Sequence, residues 1–422
     1  MNFLEKISAT EQTQLLKKCL VEGLDLAAEL RKRGLNFDDL RYQSNVVLPL
    51  PKAKFHPLDE VERTANGIPS ISFFAGAGGF DIGFHCAGYD NLASVEINQI
   101  FCDTLRYNFP KKLVVGPPNF NGDVREKELI AKVLRDKLSL ETPFEGVFHG
   151  GPPCQPFSVA SNQRFSKNGE NFKRVGFGHQ EYGNLLFDYL WFIQEFRPKV
   201  FILENVAGFM DMDKGAQVQR AIKSLIDNGY SVTQPQVFDL ADFGIPQHRN
   251  RFVMVGSRTD HIFCFPQKSK PHVPCMEALL RDMEGLSNHE TREHKAESIL
   301  RYRELEFGKR DKLGRVDRLN PAKPSKTVIA GGLKGGGRSH LHPYIPRTLS
   351  VRECARLQTF PDWYVFTGAI ARQFTQVGNA VPPLFAYQMA IEIQQQFFGL
   401  KYPLLSRQHQ RFSIPTLFEQ FA

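Results

Sequence analysis

The chain has 422 residues, 42% hydrophobic and 23% charged, with a formal net charge of +8. These are ordinary proportions for a soluble globular protein with room for two or more domains. No apolar run approaches the roughly 18 residues needed to span a membrane, and the opening MNFLEKISATEQTQ lacks the basic-then-apolar order of a secretory signal. Seven scattered cysteines (19, 86, 102, 154, 264, 275 and 354) include no C-x-x-C pair, which argues against a disulfide framework or a zinc site and for a reducing cytoplasm.

Leu15, Leu16, Cys19, Leu20, Leu24, Ala27 and Leu30 recur at a spacing near 3.6, which predicts one helix over 9–33. A connector punctuated by Pro49, Pro51 and Pro57 follows. Strands and helices then alternate: strand 70–75, helix 79–87, strand 91–96, helix 98–108, a short buried strand at 147–149, an apolar helix at 184–196, and buried strands at 199–203 and 251–255. Such alternation predicts an α/β fold with a mostly parallel sheet covered on both faces. The pattern fails after Arg258. Residues 259–347 are polar, rich in His, Arg, Gly and Pro, and read as a separate irregular domain. Helical spacing returns at 350–358 and 384–398.

Charge is unevenly placed. Residues 1–68 carry ten Lys/Arg and ten Asp/Glu, whereas 258–347 carry eighteen against eleven, with six of the twelve histidines. A basic segment beside a near-neutral remainder suggests a polyanionic partner, although a solvated surface has the same composition.

Two loops carry candidate chemistry. SFFAGAGGFDIGF (72–84) is a strand entering a Gly-rich turn that opens a helix, a geometry that brings backbone N–H groups close to a ligand. The dinucleotide fingerprint G-x-G-x-x-G counted from Gly76 places Asp81 at its last glycine, which weakens a nicotinamide reading. Glu96 ends the next strand, where it is placed to accept from ribose hydroxyls, and Asp123 after the third strand is placed to take an adenine amino group. The second loop is GGPPCQPFS (150–158). Its prolines lock φ and remove donors, and Cys154 falls just beyond the carboxyl end of a strand, where open α/β sheets put their chemistry. Taken alone, Cys154 is as readily a structural loop cysteine as a nucleophile.

With ENV (204–206), QHRNR (247–251), RECARLQ (352–358) and QVGNAVPP (376–383), these loops form six motifs whose order resembles that of the bacterial DNA (cytosine-5) methyltransferases of restriction–modification systems, over about residues 69–400. The departures are small: Ile97 stands where an aromatic is frequent, and Ala380 where Ser is. The resemblance implies a Rossmann-like, S-adenosylmethionine-dependent methyltransferase with a smaller irregular target-recognition domain. Its implied division is a helical extension and linker (1–68), a catalytic and cofactor domain (69–258), the target-recognition domain (259–370), a return to the catalytic domain (371–400) and a tail (401–422).

The resemblance further implies roles for particular residues. Cys154 would add to carbon 6 of a cytosine flipped out of double-stranded DNA, making carbon 5 nucleophilic. Glu204, ending an apolar strand where burial raises its pKa, would protonate ring nitrogen 3. Arg251 would hold the carbonyl oxygen, and Arg249 would support the site and a nearby phosphate. The cofactor would lie against Phe74, Ala75, Gly76, Gly78, Gly79, Glu96, Ile97, Asp123, Pro152, Leu185, Asn379 and Ala380, with no metal. Ser158, Lys334 and Arg338 would touch DNA, and the protein would act as a cytoplasmic monomer. A tRNA-directed relative of the same fold is the nearest alternative, but its Cys-Phe-Thr signature is absent. A non-catalytic DNA-binding regulator is disfavoured by the intact Cys154, Glu204 and Arg251.

Overall fold

The computed structural model describes residues 6–44, 46–153, 185–314, 316–330 and 340–400. Two helices, α1 (Ala9–Glu22) and α2 (Leu26–Arg31), stand where one was predicted over 9–33. Gly23 ends α1 in the left-handed region, and Asp25 caps α2 by accepting from the Ala28 N–H, so the apolar stripe continues across a turn.

The sheet begins at β1 (Pro69–Phe73), and the Gly-rich turn leads into α3 (Gly79–Cys86). Next come β2 (Asp90–Val95), α4 (Gln99–Asn108), β3 (Leu113–Val115), α5 (Lys127–Leu138) and β4 (Val147–Gly150). The unit closes with α6 (Leu185–Phe196), β5 (Val200–Val206), α7 (Ala216–Asp227), β6 (Ser231–Val232), β7 (Gln236–Asp239) and β8 (Asn250–Ser257). The periodicity reading passed over β3, α5 and α7, although Val218, Ala221 and Leu225 give α7 a buried stripe.

Strand order is β3-β2-β1-β4-β5-β8, with β6 and β7 both paired along the outer edge of β8. The first five are parallel, and β8 runs antiparallel to β5. The chain moves outward from β1 to β3, then returns to lay β4 on the other side of β1. That reversal opens a crevice at the carboxyl ends of β1 and β4.

Helices cover both faces. Phe73, Val95, Phe148 and Leu203 pack with Ile130, Tyr189 and Leu225 on one side. On the other, Val147, Ile202 and Val255 pack with Phe84 of α3 and with the last helix of the fold.

Beyond β8 the chain forms α8 (Cys275–Leu279), α9 (Ala296–Arg303), a two-stranded parallel pair of β9 (Asp317–Arg318) and β10 (His340–Leu341), then α10 (Val351–Leu357), α11 (Ile370–Asn379) and α12 (Pro383–Phe398). This region does not have a core wholly its own. Phe263, Met276, Leu319, Val328 and Leu349 join the cluster that holds Phe84 and Val255. Ala296, Ile299, Tyr302 and Leu341 instead pack with Leu15, Leu16, Leu26 and Leu30 of the two N-terminal helices. A fully buried Leu contributes roughly 1.5–3 kcal/mol, so α1 and α2 are a firmly held part of the fold. Gly83 brings α3 and α12 together: a β-carbon there would lie 2.5 Å from the Ala386 β-carbon and from the Tyr387 backbone N.

Candidate active site

A cavity opens at the carboxyl ends of β1, β2, β4 and β5. Phe74, Ala75, Gly76, Gly79, Glu96, Ile97, Asp123, Pro152, Leu185, Asn379 and Ala380 all line it, together with Glu204 and Arg251. Gly78 does not line it. Its part is to turn the chain, at φ 74, as the residue preceding α3.

The Gly-rich turn is shaped by close approaches. Phe74 and Gly76 are left-handed, with φ of 51 and 56. A β-carbon on Gly79 would lie 2.1 Å from the Val381 carbonyl oxygen, so the first residue of α3 abuts the 376–383 segment directly. Glu96 fixes the turn from the neighbouring strand: its Oε2 accepts from the Gly76 N–H at 2.8 Å and its Oε1 from the Asn98 N–H at 2.7 Å. Burial pushes its carboxyl pKa up, against the pull of those backbone donors. Glu96 therefore shapes the loop as well as facing the cavity.

The walls fit an adenosyl group carrying a charged tail. Ile97 is 55% exposed and offers the cavity an apolar surface. Ser72, also in the lining, has a buried Oγ with no hydrogen-bond partner among the described residues. Asp123 reaches the cavity already paired. Arg125 Nε lies 2.9 and 3.0 Å from its two oxygens and Nη2 lies 2.5 Å from Oδ2, and this bonding holds the Asp123 carboxyl below its ordinary pKa. An adenine amino group would share Asp123 with Arg125.

The second half of the site comes from the antiparallel strand. Val206 stands opposite Arg251, and alternation places Glu204 on the same face two residues back. Arg251 Nε donates to Glu204 Oε1 at 2.7 Å. Burial raises the Glu204 carboxyl, and Arg251 and then Arg249 oppose it. The segment leaving β4 closes over this carboxyl: a β-carbon on Gly151 would lie 2.6 Å from Glu204 Oε2. Asn205 Nδ2 donates to the Pro152 carbonyl at 3.4 Å. Cys154 follows Pro153 in the chain and lies outside the described residues, as do Ser158, Lys334 and Arg338.

Arg249 departs from its expected place near a phosphate. It is 1% exposed and donates to the carbonyls of Val328 at 3.3 Å, Gly378 at 2.9 Å and Ala380 at 3.0 Å. It braces the entry of β8 against the 376–383 segment from inside the protein. The RECARLQ and QHRNR motifs also supply joints. Arg352 donates to the Ser287, Pro361 and Tyr364 carbonyls, Gln247 Nε2 to Gln358 Oε1 at 3.0 Å, and Gln358 Nε2 to the Val377 carbonyl at 2.8 Å. The sequence reading did not single out Ser72, Arg125, Gly151, Asn205 or Val381, all of which line the cavity. Ser72, Gly151, Asn205 and Val381 sat inside quoted motifs. Arg125, two residues after Asp123, carried no signal of its own.

A parallel sheet reversed at β1/β4, a Gly-rich turn at that reversal and an acid ending β2 define a Rossmann-like S-adenosylmethionine-dependent methyltransferase. The family model for C-5 cytosine-specific DNA methylases matches residues 68–395, and the chain belongs to that family. Its substrate is DNA. It is 31% identical over 362 residues to the Type II methyltransferase M.NgoFVII of Neisseria gonorrhoeae, covering 80% of this chain and 89% of the relative. It is 32% identical over 343 residues to the Type II methyltransferase M1.HphI of Haemophilus parahaemolyticus, covering 76% and 85%. Among solved structures, the Entamoeba histolytica methyltransferase EhMeth shares the fold with a TM-score of 0.55 at 17% identity, covering 80% of this chain and all (100%) of that one. The S. pombe Dnmt2 methyltransferase does so with a TM-score of 0.51 at 15% identity, covering 78% and 99%. Among the described residues no helix is long and apolar enough to cross a membrane.

Proposed function

We propose that this protein methylates carbon 5 of a cytosine at a specific site in double-stranded DNA, as the protecting enzyme of a restriction–modification pair, acting as a monomer in the cytoplasm. The observation that carries the reading is the buried Glu204, held by Arg251 and pressed by Gly151 of the segment that leads into Cys154. The Type II designation of the relatives supports the protecting role.

S-adenosylmethionine, bound against Glu96, Ile97 and Asp123, supplies the electrophilic methyl group. The protein's residues prepare the base. Carbon 6 is inaccessible in a stacked duplex, so the cytosine is flipped into the cavity. Pro152 and Pro153 restrict the approach of Cys154, whose thiolate adds to carbon 6 and forms the carbon–sulfur bond. The electron pair displaced from the 5,6 double bond makes carbon 5 nucleophilic, with negative charge spreading to nitrogen 3 and the carbonyl oxygen. Glu204, protonated through its raised pKa, gives its proton to nitrogen 3, and Arg251 Nη2, its Nε being bonded to Glu204 and its Nη1 to the Asn250 carbonyl, meets the carbonyl oxygen. Once carbon 5 has taken the methyl group, the donor's sulfur–methyl bond having broken to leave S-adenosylhomocysteine, carbon 5 loses its proton to a base, the bond to the Cys154 sulfur breaks as the 5,6 double bond re-forms, and nitrogen 3 returns its proton to Glu204. Residues 259–370 read the site, with Lys334 and Arg338 on phosphate or base edges.

The test is covalent capture. Duplex DNA carrying 5-fluorocytosine traps the wild type on Cys154, because fluorine does not leave as the proton does, and Cys154→Ser binds DNA without forming the adduct. Adduct on another cysteine, or labelled methyl groups entering tRNA and not duplex DNA, overturns the reading.

A further inference from the structure

The family model begins at residue 68, yet residues 6–44 are built into the region that reads DNA in the proposed function. Three of that region's fully buried arginines meet the N-terminal segment. Arg303 gives Nε to the Arg41 carbonyl at 2.9 Å, Nη1 to Thr13 Oγ1 at 3.0 Å and Nη2 to the Ala9 carbonyl at 3.2 Å. Arg347 binds Glu353 through two bonds of 2.8 and 2.9 Å and turns its Nε to Asp38. Arg318 on β9 is sandwiched between the rings of Tyr42 at 3.5 Å and Phe307 at 3.9 Å. Buried guanidinium groups are costly unless their donors and faces are satisfied. The segment supplies the acceptors for Arg303, an aromatic face for Arg318 and one carboxylate for Arg347.

Tyr42 makes the geometry specific. Its ring covers Arg318 on β9, while its hydroxyl donates to the carbonyl of His342, immediately after β10, at 2.9 Å. One buried side chain therefore grips both members of the β9–β10 pair. Leu341 of β10 adds an apolar contact with α1 and α2. The strands are two residues each, and beyond one another they make, among the described residues, only single bridges, Asp317 to Arg310 and Leu341 to Thr348. So short a ladder has little stability of its own, and its orientation is set by what packs behind it.

We propose that the N-terminal segment, through Tyr42 and Asp38, positions the β9–β10 pair for DNA and so helps determine site specificity, a role resting on the reading of 259–370 as the DNA-reading region. Tyr42 and Asp38 are positioning residues that touch neither cofactor nor base.

The experiment uses the full-length Tyr42→Phe, Tyr42→Leu and Asp38→Asn variants on unmethylated plasmid DNA. KM for DNA, kcat and the affinity for S-adenosylhomocysteine are measured, and bisulfite sequencing compares the main site with sites differing at one base. Expected for Tyr42→Leu and Asp38→Asn is a rise in KM for DNA of about five- to a hundred-fold, the usual span of coupling between two sites. Preference for the main site falls, while kcat at saturating DNA and S-adenosylhomocysteine affinity stay unchanged. Tyr42→Phe keeps the ring over Arg318, guards against misfolding and lies between these variants and the wild type. Unchanged KM and preference in all three overturn the proposal, and so does a common fall in kcat, cofactor affinity and DNA binding. Exchange of 259–370 with that of a relative separates the two readings. If site preference follows the exchanged segment while the Tyr42 variants keep theirs, only the positioning role fails. If preference does not follow, the reading beneath it fails.

Discussion

Gly151 and Glu204 meet with no room between them: a β-carbon on Gly151 would stand 2.6 Å from Glu204 Oε2. The acid and the segment leading into Cys154 are thereby set relative to each other by the absence of a side chain. A methyl group there has to displace either the carboxylate or the loop.

Gly151→Ala is expected to remove proper acid placement while sparing the cofactor. Positioned proton transfer contributes about 10²–10⁴-fold to a rate, and a single-turnover loss of that order, with S-adenosylhomocysteine affinity within a few-fold of wild type, is the expected result. A wild-type methylation rate in this variant would remove Glu204 from the acid role.

Two glycines of the first loop separate sterics from conformation. Gly79→Ala meets the Val381 carbonyl at 2.1 Å, an overpacking that costs about 1–3 kcal/mol and disturbs the cavity wall. Gly76→Ala finds its nearest neighbour, the Phe74 carbonyl oxygen, at 4.0 Å and faces only the left-handed φ of 56, a cost of about 1–2 kcal/mol with no clash added. Urea unfolding should rank Gly79→Ala as the less stable; the reverse order would contradict the close approach.

Glu96→Ala is expected to weaken cofactor binding by roughly ten- to a hundred-fold, because bonds to a charged acceptor typically contribute about 1.5–3 kcal/mol. Two of its partners are the N–H groups of Gly76 in the Gly-rich turn and of Asn98, which caps α4, so the effect combines lost ribose contacts with a loosened turn. Glu96→Gln keeps one carbonyl acceptor and should fall between the two. Calorimetry with S-adenosylhomocysteine gives the order, and DNA affinity should not move.

His149 on β4 predicts a pH effect on stability. Its ring packs 4.3 Å from that of Phe84, and burial lowers its pKa from 6.5 to about 3, with Asp81 pulling upward less strongly. The unfolded chain takes up a proton below pH 6.5 that the folded chain refuses, so stability is lost as pH falls from about 6.5 toward 3. His149→Leu removes this penalty. Between pH 7 and 5 its stability relative to wild type should improve by about 2 kcal/mol, read from denaturant midpoints at both pH values. A constant difference would show that His149 is not excluded from protonation by burial.

Legibility in the sequence followed the range of the interactions. Helix α3 and strand β2 were placed to within a residue because their signals are local: apolar runs, and glycines where the chain turns. The single N-terminal helix failed on Gly23 and Asp25, whose capping signals lay in plain view but were outweighed by a continuous apolar stripe. Contacts between distant segments left no such trace. Nothing local joins Gly79 to Val381, Gly151 to Glu204 or Tyr42 to Arg318, and the first two segments were associated only through the resemblance. Counting charge also overstated the DNA-facing surface. Arg303, Arg318 and Arg347 belong to the basic excess of 258–347 and are buried, while Arg310 and Lys326 both pair with Asp317.

The reversed direction of β8, antiparallel to β5, β6 and β7, has an architectural consequence beyond bringing Arg251 to Glu204. β8 leaves the cavity end and finishes at Ser257, opposite Val200 at the far end of β5. The chain regains the cavity end where the Ser269 N–H donates to the Asp242 carbonyl at 2.6 Å, three residues past the end of β7 that faces Asn250, and it is tied there again by the Ser325 N–H to the Pro246 carbonyl at 2.9 Å and the His248 N–H to the Ser325 carbonyl at 2.8 Å. The excursion between them thus departs from one rim of the sheet and lands on the other, separated by an eight-residue strand, roughly 27 Å. Most inserted domains leave and re-enter their host at adjacent points and can be trimmed to a turn. This one cannot shrink below about eight extended residues, so the sheet itself obliges any shortened form of this chain to keep a bridge across that side.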